Sequence, residues 1–284
     1  MVERLVCCQL VAFLEREGLL PVYQSAYRKH HSKETAVLKI VSDALLAADH
    51  GYVTLLGLLD LSAALETVDH GILIDRLHTA FGVCWPVLSW INSFICARTQ
   101  TAILNGTQST RSVLDCGSPR GSVLGLVLFV LYTVEVTNIA QRHGIGAHSY
   151  ANDMQFYCHS KAVSCTSSIS RMTTCIEEIS QWITSNRLKL NSDKMQFIWL
   201  GTRQQLAMIH CQTITLRGTS THISTEVRCL GVVINSGLKF ALHIRPLAGR
   251  CFYQLRQLRS IRRSLNTNAT KTFVNAFITS RFDY

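Results

Sequence analysis

At 284 residues and 48% hydrophobic, the chain can hold one large domain or two smaller ones with their own cores, and its composition excludes disordered, collagen-like or low-complexity classes. The net charge of +10 is uneven: residues 240–284 carry eight Lys or Arg against the single acid Asp283. That asymmetry fits a phosphate-bearing partner, with a merely soluble basic helix as the alternative. Eleven scattered cysteines, an odd number with no C-x-x-C pair, argue against a disulfide framework and against zinc, and for reduced thiols in the cytoplasm or nucleus.

Residues 1–18 read as a helix with Leu5, Val6, Leu10, Val11, Phe13 and Leu14 on its apolar face and Gly18 as its stop. Glu3 and Arg4 precede only a short apolar run with no small-residue cleavage site, so this is read as a helix and not as a signal peptide. Segment 24–31 is polar and basic around Tyr27, either a contact for a triphosphate or a solvated loop. Ser32 caps a helix to about Asp49, with Val37, Leu38, Ile40, Val41 and Leu45 inward and Gly51 past its end.

Residues 53–60 form a buried apolar strand that delivers Asp60 to its mouth, and the small Ser62, Ala63 and Ala64 behind it let backbone approach a substrate. Asp69 caps a helix ending at Gly82, and Pro86 suits the first turn of the next, which carries Leu88, Trp90, Ile91 and Phe94. Asn105-Gly106 marks a hairpin between 99–104 and 107–113. Gly117-Ser118-Pro119-Arg120-Gly121-Ser122 opens the most apolar helix, running to about Arg142 with Gly144 as its stop. Its free backbone N–H groups and positive dipole end suit a phosphate or template contact. The apolar run 123–134 is short of the ~18 residues needed to cross a membrane, so it reads as a buried helix.

Tyr150-Ala151-Asn152-Asp153, followed by Met154, Phe156 and Tyr157, reads as a hairpin that lifts Asn152 and Asp153 to its tip. Ile169, Met172, Ile176, Ile179 and Ile183 then form an amphipathic helix packed on a sheet, with Trp182 as core. Lys194 precedes a strand within 188–200, and 227–234 reads as one strand turned by Asn235-Ser236-Gly237. The rest is basic and helical and stops at Tyr284 without a terminal signal, which reads as truncation.

Asp60 and Asp153, each at the end of an apolar strand, are the hard oxygen ligands that Mg²⁺ takes. Strand, acid, helix, hairpin, glycine turn, helix, acid hairpin, helix, strand describes an α+β sheet with helices on one face, in the split βαβ style. Two acids on its central strands would hold two Mg²⁺ ions about 4 Å apart, one activating a primer 3′-hydroxyl and the other clamping the triphosphate leaving group.

The ordered set Leu58-Leu59-Asp60-Leu61-Ser62-Ala63-Ala64, Gly117-Ser118-Pro119-Arg120-Gly121-Ser122-Val123-Leu124-Gly125, Tyr150-Ala151-Asn152-Asp153, Leu188-Lys189-Leu190-Asn191 with Lys194, and Leu230-Gly231-Val232 resembles motifs A to E of the reverse transcriptase domain of non-LTR (LINE-type) retrotransposons. Gln24-Ser25-Ala26-Tyr27-Arg28 resembles one of that family's fingers motifs. The resemblance implies a right-hand polymerase: partial fingers over 1–51, palm with inserted fingers elements over 52–200, the end of the palm and primer-grip strands over 201–239, and a partial basic helical thumb over 240–284.

It further implies Asp60, Asn152 and Asp153 at the metal-ligand positions and Lys194 as general acid toward pyrophosphate. Arg28, Leu65, Pro119, Arg120, Gly121, Leu230 and Gly231 would meet nucleotide, template or primer, and Arg250, Arg256, Arg259, Arg262 and Arg263 the nucleic acid. Two Mg²⁺ ions, an RNA template, a DNA primer and a dNTP are the implied cofactors and partners, with no membrane. The resemblance also implies an endonuclease domain in the full-length element, expected to be absent from this sequence.

Departures from the family pattern matter as much. Asn152 stands where the family carries a metal-binding Asp, Leu65 where an aromatic is usual, Glu66 for Asp, Arg120 for Gln and Leu126 for Pro. The domain is therefore expected to be weakened or inactive, and a non-catalytic nucleic-acid-binding remnant or a pseudogene fragment is the alternative.

Overall fold

A computed structural model describes residues 2–21, 23–119 and 121–282. Helix α1 (Val2–Arg16) is followed by α2 (Lys33–Asp49), where Ser32 accepts from the Thr35 N–H and the Thr35 side chain reaches back in a reciprocal cap. Strand β1 (Val53–Ser62) leads to α3 (His70–Thr79), capped by Asp69 Oδ1 on the Ile72 N–H, and to α4 (Trp85–Ile95) with Pro86 in its first turn. Short strands β2 (Arg98–Gln100), β3 (Ile103–Leu104), β4 (Thr107–Gln108) and β5 (Ser112–Leu114) pair β2 with β5 and β3 with β4 around Asn105-Gly106. Both turn residues have positive φ, 49° and 81°, as a tight hairpin requires.

Helix α5 (Val123–Tyr132) passes at Thr133 into α6 (Val134–Arg142). Together they run 20 residues, long and apolar enough to cross a membrane, yet 67% of their most apolar 18-residue window is buried inside the protein, as in a core helix. The hairpin β6 (Gly146–Tyr150) and β7 (Asp153–Ser160) precedes α7 (Cys165–Ser185), then β8 (Lys189–Leu190) and β9 (Gln196–Leu200).

The main sheet runs β6, β7, β1, then β8 and β9 along the other edge of β1, and its pairs are antiparallel. Seven residues of β1 before Asp60 are buried, because both faces of this central strand are covered. Leu55, Leu59 and Leu61 face the larger core with α3, α5 and α7, whereas Leu56 and Leu58 face a second core with Val37, Ile40, Val41 and Ala44 of α2. The expectation of helices on one face is corrected here: α2 covers the opposite face. Gly57 is required where β1 meets β9, since a Cβ there would lie 2.8 Å from the Phe197 ring.

Other expectations shift locally. Leu5, Leu38 and Leu45 are exposed, so the buried stripes of α1 and α2 are narrower than the sequence pattern implies. After α8 (Arg203–Ala207), a hairpin of β10 (Thr213–Leu216) and β11 (Thr219–His222) turns at Arg217-Gly218, which has no counterpart in the sequence reading. The single strand read over 227–234 is two, β12 (Glu226–Cys229) and β13 (Val232–Asn235). Leu230 and Gly231, at φ 47° and 95°, form the turn between them. The chain continues in α9 (Ala241–Ile261) and α10 (Thr267–Val274).

Candidate active site

The antiparallel register of β1 and β7 makes Asp60 and Asp153 direct cross-strand partners. Partners in register point to one face of the sheet, so the two carboxylates stand side by side. Asp153 opens β7, immediately after the turn at Ala151-Asn152, where Ala151 has φ 57°. Within that turn Asn152 Nδ2 donates to Asp60 Oδ1 at 2.9 Å. From the far side Lys194 Nζ, in a single 3₁₀ turn before β9, donates to Asp60 Oδ2 at 2.9 Å.

Burial first, and then the neighbouring Asp60, push the Asp153 carboxyl above its ordinary range, while Lys33 and Lys194 pull the other way. The hydrogen bond to Asp60 holds the Lys194 ammonium above its usual range.

The hairpin is braced from behind by the segment read as a basic loop. Ser25 N–H donates to Ser149 O, Ser149 N–H to Tyr23 O, and Gln24 Oε1 accepts from the Ala151 N–H. Gln24, Ser25 and Ala26 are buried, so the first three residues of this segment are scaffold for the turn. Arg28 donates to Pro21 O at 3.1 Å and lines a crevice with Leu20, Ala26 and Val127, apart from the acids.

Two cavities flank Asp60, Asn152 and Lys194. One, about 520 Å³, is lined by Ser62, Ala63, Leu65 and Gly121. The other, about 460 Å³, is lined by Asp153, Gln196, Arg228 and Leu230. Pro119 is partly buried in the loop before Gly121, and Arg120 lies outside the described residues.

That loop is fixed to the turn after β1 through main chain. Gly117 N–H donates to Val68 O at 2.7 Å and Ser118 N–H to Leu65 O at 2.8 Å, while His70 Nε2 is 2.8 Å from Gly117 O. Gly117 has φ 84°, and a Cβ there would sit 2.6 Å from Glu66 O, so only glycine fits. Arg250, Arg256 and Arg259 project into solvent from α9, and Arg262 and Arg263 from the 3₁₀ turn after it, away from either cavity's lining.

Sequence reasoning did not single out Arg228, Gln196 or Lys33. Lys33 Nζ lies 5.7 Å from the centre of the Tyr150 ring. Its position at the start of α2 is legible from the Ser32 cap, but its approach to Tyr150 depends on how α2 crosses the sheet.

Two hard carboxylates side by side, one of them desolvated, fit a divalent cation held between Asp60 and Asp153. Among the described residues no group of three or more His, Cys, Asp or Glu is placed to hold a metal ion. The third position is the Asn152 amide, whose NH₂ faces Asp60 as a donor.

Residues 1–234 match the family described as reverse transcriptase (RNA-dependent DNA polymerase). The chain is 24% identical over 275 residues to the probable RNA-directed DNA polymerase from transposon BS of Drosophila melanogaster, covering 95% of this chain and 29% of that one. It is 24% identical over 254 residues to the RNA-directed DNA polymerase from mobile element jockey of Drosophila funebris, covering 87% of this chain and 27% of that one. The chain thus spans less than a third of the length of these relatives.

Among solved structures, telomerase from Candida tropicalis with a TWJ fragment of telomeric RNA aligns at a TM-score of 0.53 and 13% identity, over 99% of this chain and 45% of that one. Apo telomerase from the same organism, truncated from its C-terminal domain, aligns at 0.52 and 11% over 82% and 44%. At such identity the likeness shows the shared polymerase fold alone. The family match over 1–234 carries the assignment, and the relatives, polymerases of transposons and mobile elements, agree with the motif order: this chain belongs to the reverse transcriptase family, as a reverse transcriptase domain of the LINE-type retrotransposon kind.

Proposed function

We propose that this chain is the catalytic part of an RNA-templated DNA polymerase whose activity is lowered by Asn152. The reading rests on one observation: Asp60, the adjacent Asn152 and Asp153, and Lys194, from three separate stretches of sequence, meet between two cavities. Reverse transcriptases work with divalent metal ions, and here Asp60 and Asp153 would hold the cation. When bound, Mg²⁺ would supply the charge that lowers the pKa of a primer 3′-hydroxyl and offsets charge on the triphosphate.

The chain's own residues align the reactants. The cavity of Leu65 and Gly121 takes the dNTP, with Leu65 beside the sugar, and the cavity of Leu230 and Arg228 takes the primer end. Pro119 lies on the loop that meets the template, and Arg120 follows it in the sequence. Lys194 delivers a proton toward the departing pyrophosphate once nucleotide binding draws it from Asp60. Residues 1–51 serve as partial fingers, 52–200 as palm, 201–239 as primer grip and 240–284 as a partial thumb whose arginines bind duplex. Arg28, held at Pro21 O, acts on the template only through the fingers backbone. Its free cysteines suit a reducing compartment, the cytoplasm or nucleus.

The neutral Asn152 removes one negative charge from the metal-binding face and offers Asp60 a donor instead. The loss is expected to cost at least ~10²-fold in rate, as for removing one transition-state stabilising group. The test is primer extension on an RNA template with Mg²⁺, comparing the chain with Asn152→Asp. Synthesis should rise by at least that factor. No synthesis by the variant, with template-primer binding intact, overturns the catalytic reading.

The exposed arginines from Arg250 to Arg263 favour a second reading, a nucleic-acid-binding remnant without catalysis. Salt-dependent RNA binding with no Mg²⁺-dependent turnover in either form supports it.

A further inference from the structure

On the side of the palm where α7 begins, the fold brings together two thiols 46 residues apart. Cys165, the first residue of α7, lies with its Sγ 3.1 Å from Cys211 Sγ, and Thr166 Oγ1 is 3.4 Å from the same sulfur. Cys165 is buried and Cys211 partly exposed. The Cys211 carbonyl accepts from Trp199 Nε1 at 3.2 Å, so its backbone is anchored to β9.

We propose that Cys165 and Cys211 are a paired dithiol that closes to an intramolecular disulfide by exchange with a small-molecule disulfide. The accessible Cys211 sulfur attacks the reagent RSSR, forming the mixed disulfide Cys211–S–S–R and releasing one RS⁻, which takes up the proton that Cys211 gave up. The Cys165 thiolate then attacks Cys211 Sγ. The protein S–S bond forms, the mixed disulfide breaks, and the second RS⁻ takes the Cys165 proton. One RSSR is reduced to two RSH and two protein thiols are oxidised to one disulfide, so the exchange balances.

Access sets this order: the Thr166 hydroxyl favours the Cys211 thiolate, but the contact with Cys165 and burial outweigh it and hold that thiol above its ordinary range, so Cys211 goes first only because a reagent can reach it. Burial acts to raise the Cys165 thiol, but hydrogen bonds from Cys211 and from the backbone N–H groups of His210 and Cys211 outweigh it and hold the thiol below its ordinary range. A helix N-terminus adds to that preference for the thiolate. The first attack falls to the sulfur that a reagent can reach, and the second to the better thiolate waiting beneath it.

The closed bond would tie the start of α7 to the segment before β10 across a loop containing β8, Lys194 and β9. Such a tie restricts the unfolded chain, so the melting temperature should rise by several degrees on oxidation and fall back with dithiothreitol.

The experiment treats the reduced chain with oxidised glutathione, then combines peptide mapping under non-reducing conditions with thermal melting. A Cys165–Cys211 cross-linked peptide with little glutathione left on Cys211 is the expected result. Cys165→Ser should instead keep a glutathione adduct on Cys211, because nothing resolves it. A lasting Cys211 adduct in the unsubstituted chain, or modification of the exposed Cys8 and Cys84 with Cys165 and Cys211 both unreacted, overturns the proposal.

Discussion

Asn152 donates its side-chain amide to the carboxylate of Asp60, and the same carboxylate takes the ammonium of Lys194 on its other oxygen, each over 2.9 Å. Each oxygen of Asp60 therefore already accepts from its own chain, and a cation or nucleotide has to compete with those donors. The Lys194 contact is the weaker competitor, because that side chain is 66% exposed and an exposed pair is worth little.

Lys194→Ala is accordingly expected to leave folding intact and to lower primer extension by about 10²-fold in an Asn152→Asp background, the usual size of a general-acid contribution. Single-turnover extension across a pH series checks it. Loss of a basic limb in the alanine variant identifies a proton donor, and an unchanged profile with weaker dNTP binding identifies a simple charge contact.

Leu65→Phe, also in the Asn152→Asp background, should raise the preference for dNTP over NTP by one to two orders of magnitude, about what a single apolar pocket contact can discriminate. Leu65 lines the cavity that Asp60 and Gly121 share, so a larger ring there narrows the space beside the sugar. Competitive incorporation of dNTP and NTP on one template measures the ratio.

Replacing Arg256, Arg259, Arg262 and Arg263 by Gln should weaken RNA–DNA duplex binding and flatten its salt dependence. Each lost phosphate contact removes about 0.7–0.9 from the slope of log K against log salt, roughly 3 for all four. Fluorescence anisotropy between about 50 and 200 mM salt, a range over which phosphate contacts change affinity steeply, checks it. An unchanged slope would place the duplex elsewhere.

His148 supplies a pH dependence in stability. Burial pushes its imidazole down to about 4, and its Nε2 sits 2.9 Å from Ser25 Oγ behind the Asp153 hairpin. The folded state thus holds the neutral ring, while the unfolded chain takes a proton near pH 6.5. Between about pH 6.5 and 4 the unfolded state binds more protons, so the stability present above pH 6.5 is lost as the pH falls through this window. The loss reaches about 3 kcal/mol by pH 4. His148→Gln should flatten the melting temperature between pH 7 and 5 relative to the unsubstituted chain.

Much of the site was legible in the sequence because it depends on local rules. An apolar run ending in Asp60, a tight turn before Asp153 and a cap at Asp69 specify strand, hairpin and helix start without tertiary information, and the structure has all three. Leu230-Gly231 was harder. Read as the middle of a strand it looked continuous, and only the positive φ of both residues makes it a turn, a conformation Leu rarely adopts.

The role of segment 24–31 was not legible either. Its basic residues suggested solvent or phosphate, while Gln24 and Ser25 hydrogen-bond to the hairpin more than 120 residues away. The cover of α2 on the second face of the sheet was hidden for a related reason. Leu38 and Leu45 make its apolar stripe look broader than the surface it buries, so its packing partner could not be read from periodicity.

Gly117 has a consequence for how this domain can change. Its backbone lies against Glu66, and its neighbour Ser118 is bonded to Leu65, so the cavity wall at Leu65 and the loop leading to Gly121 are joined through main chain. Side chains on either part can be exchanged for new substrate preferences, but the chamber's outline is set by peptide groups common to both. An enlarged pocket has to come from shorter side chains, because parting the two walls would break the main-chain bonds that define them.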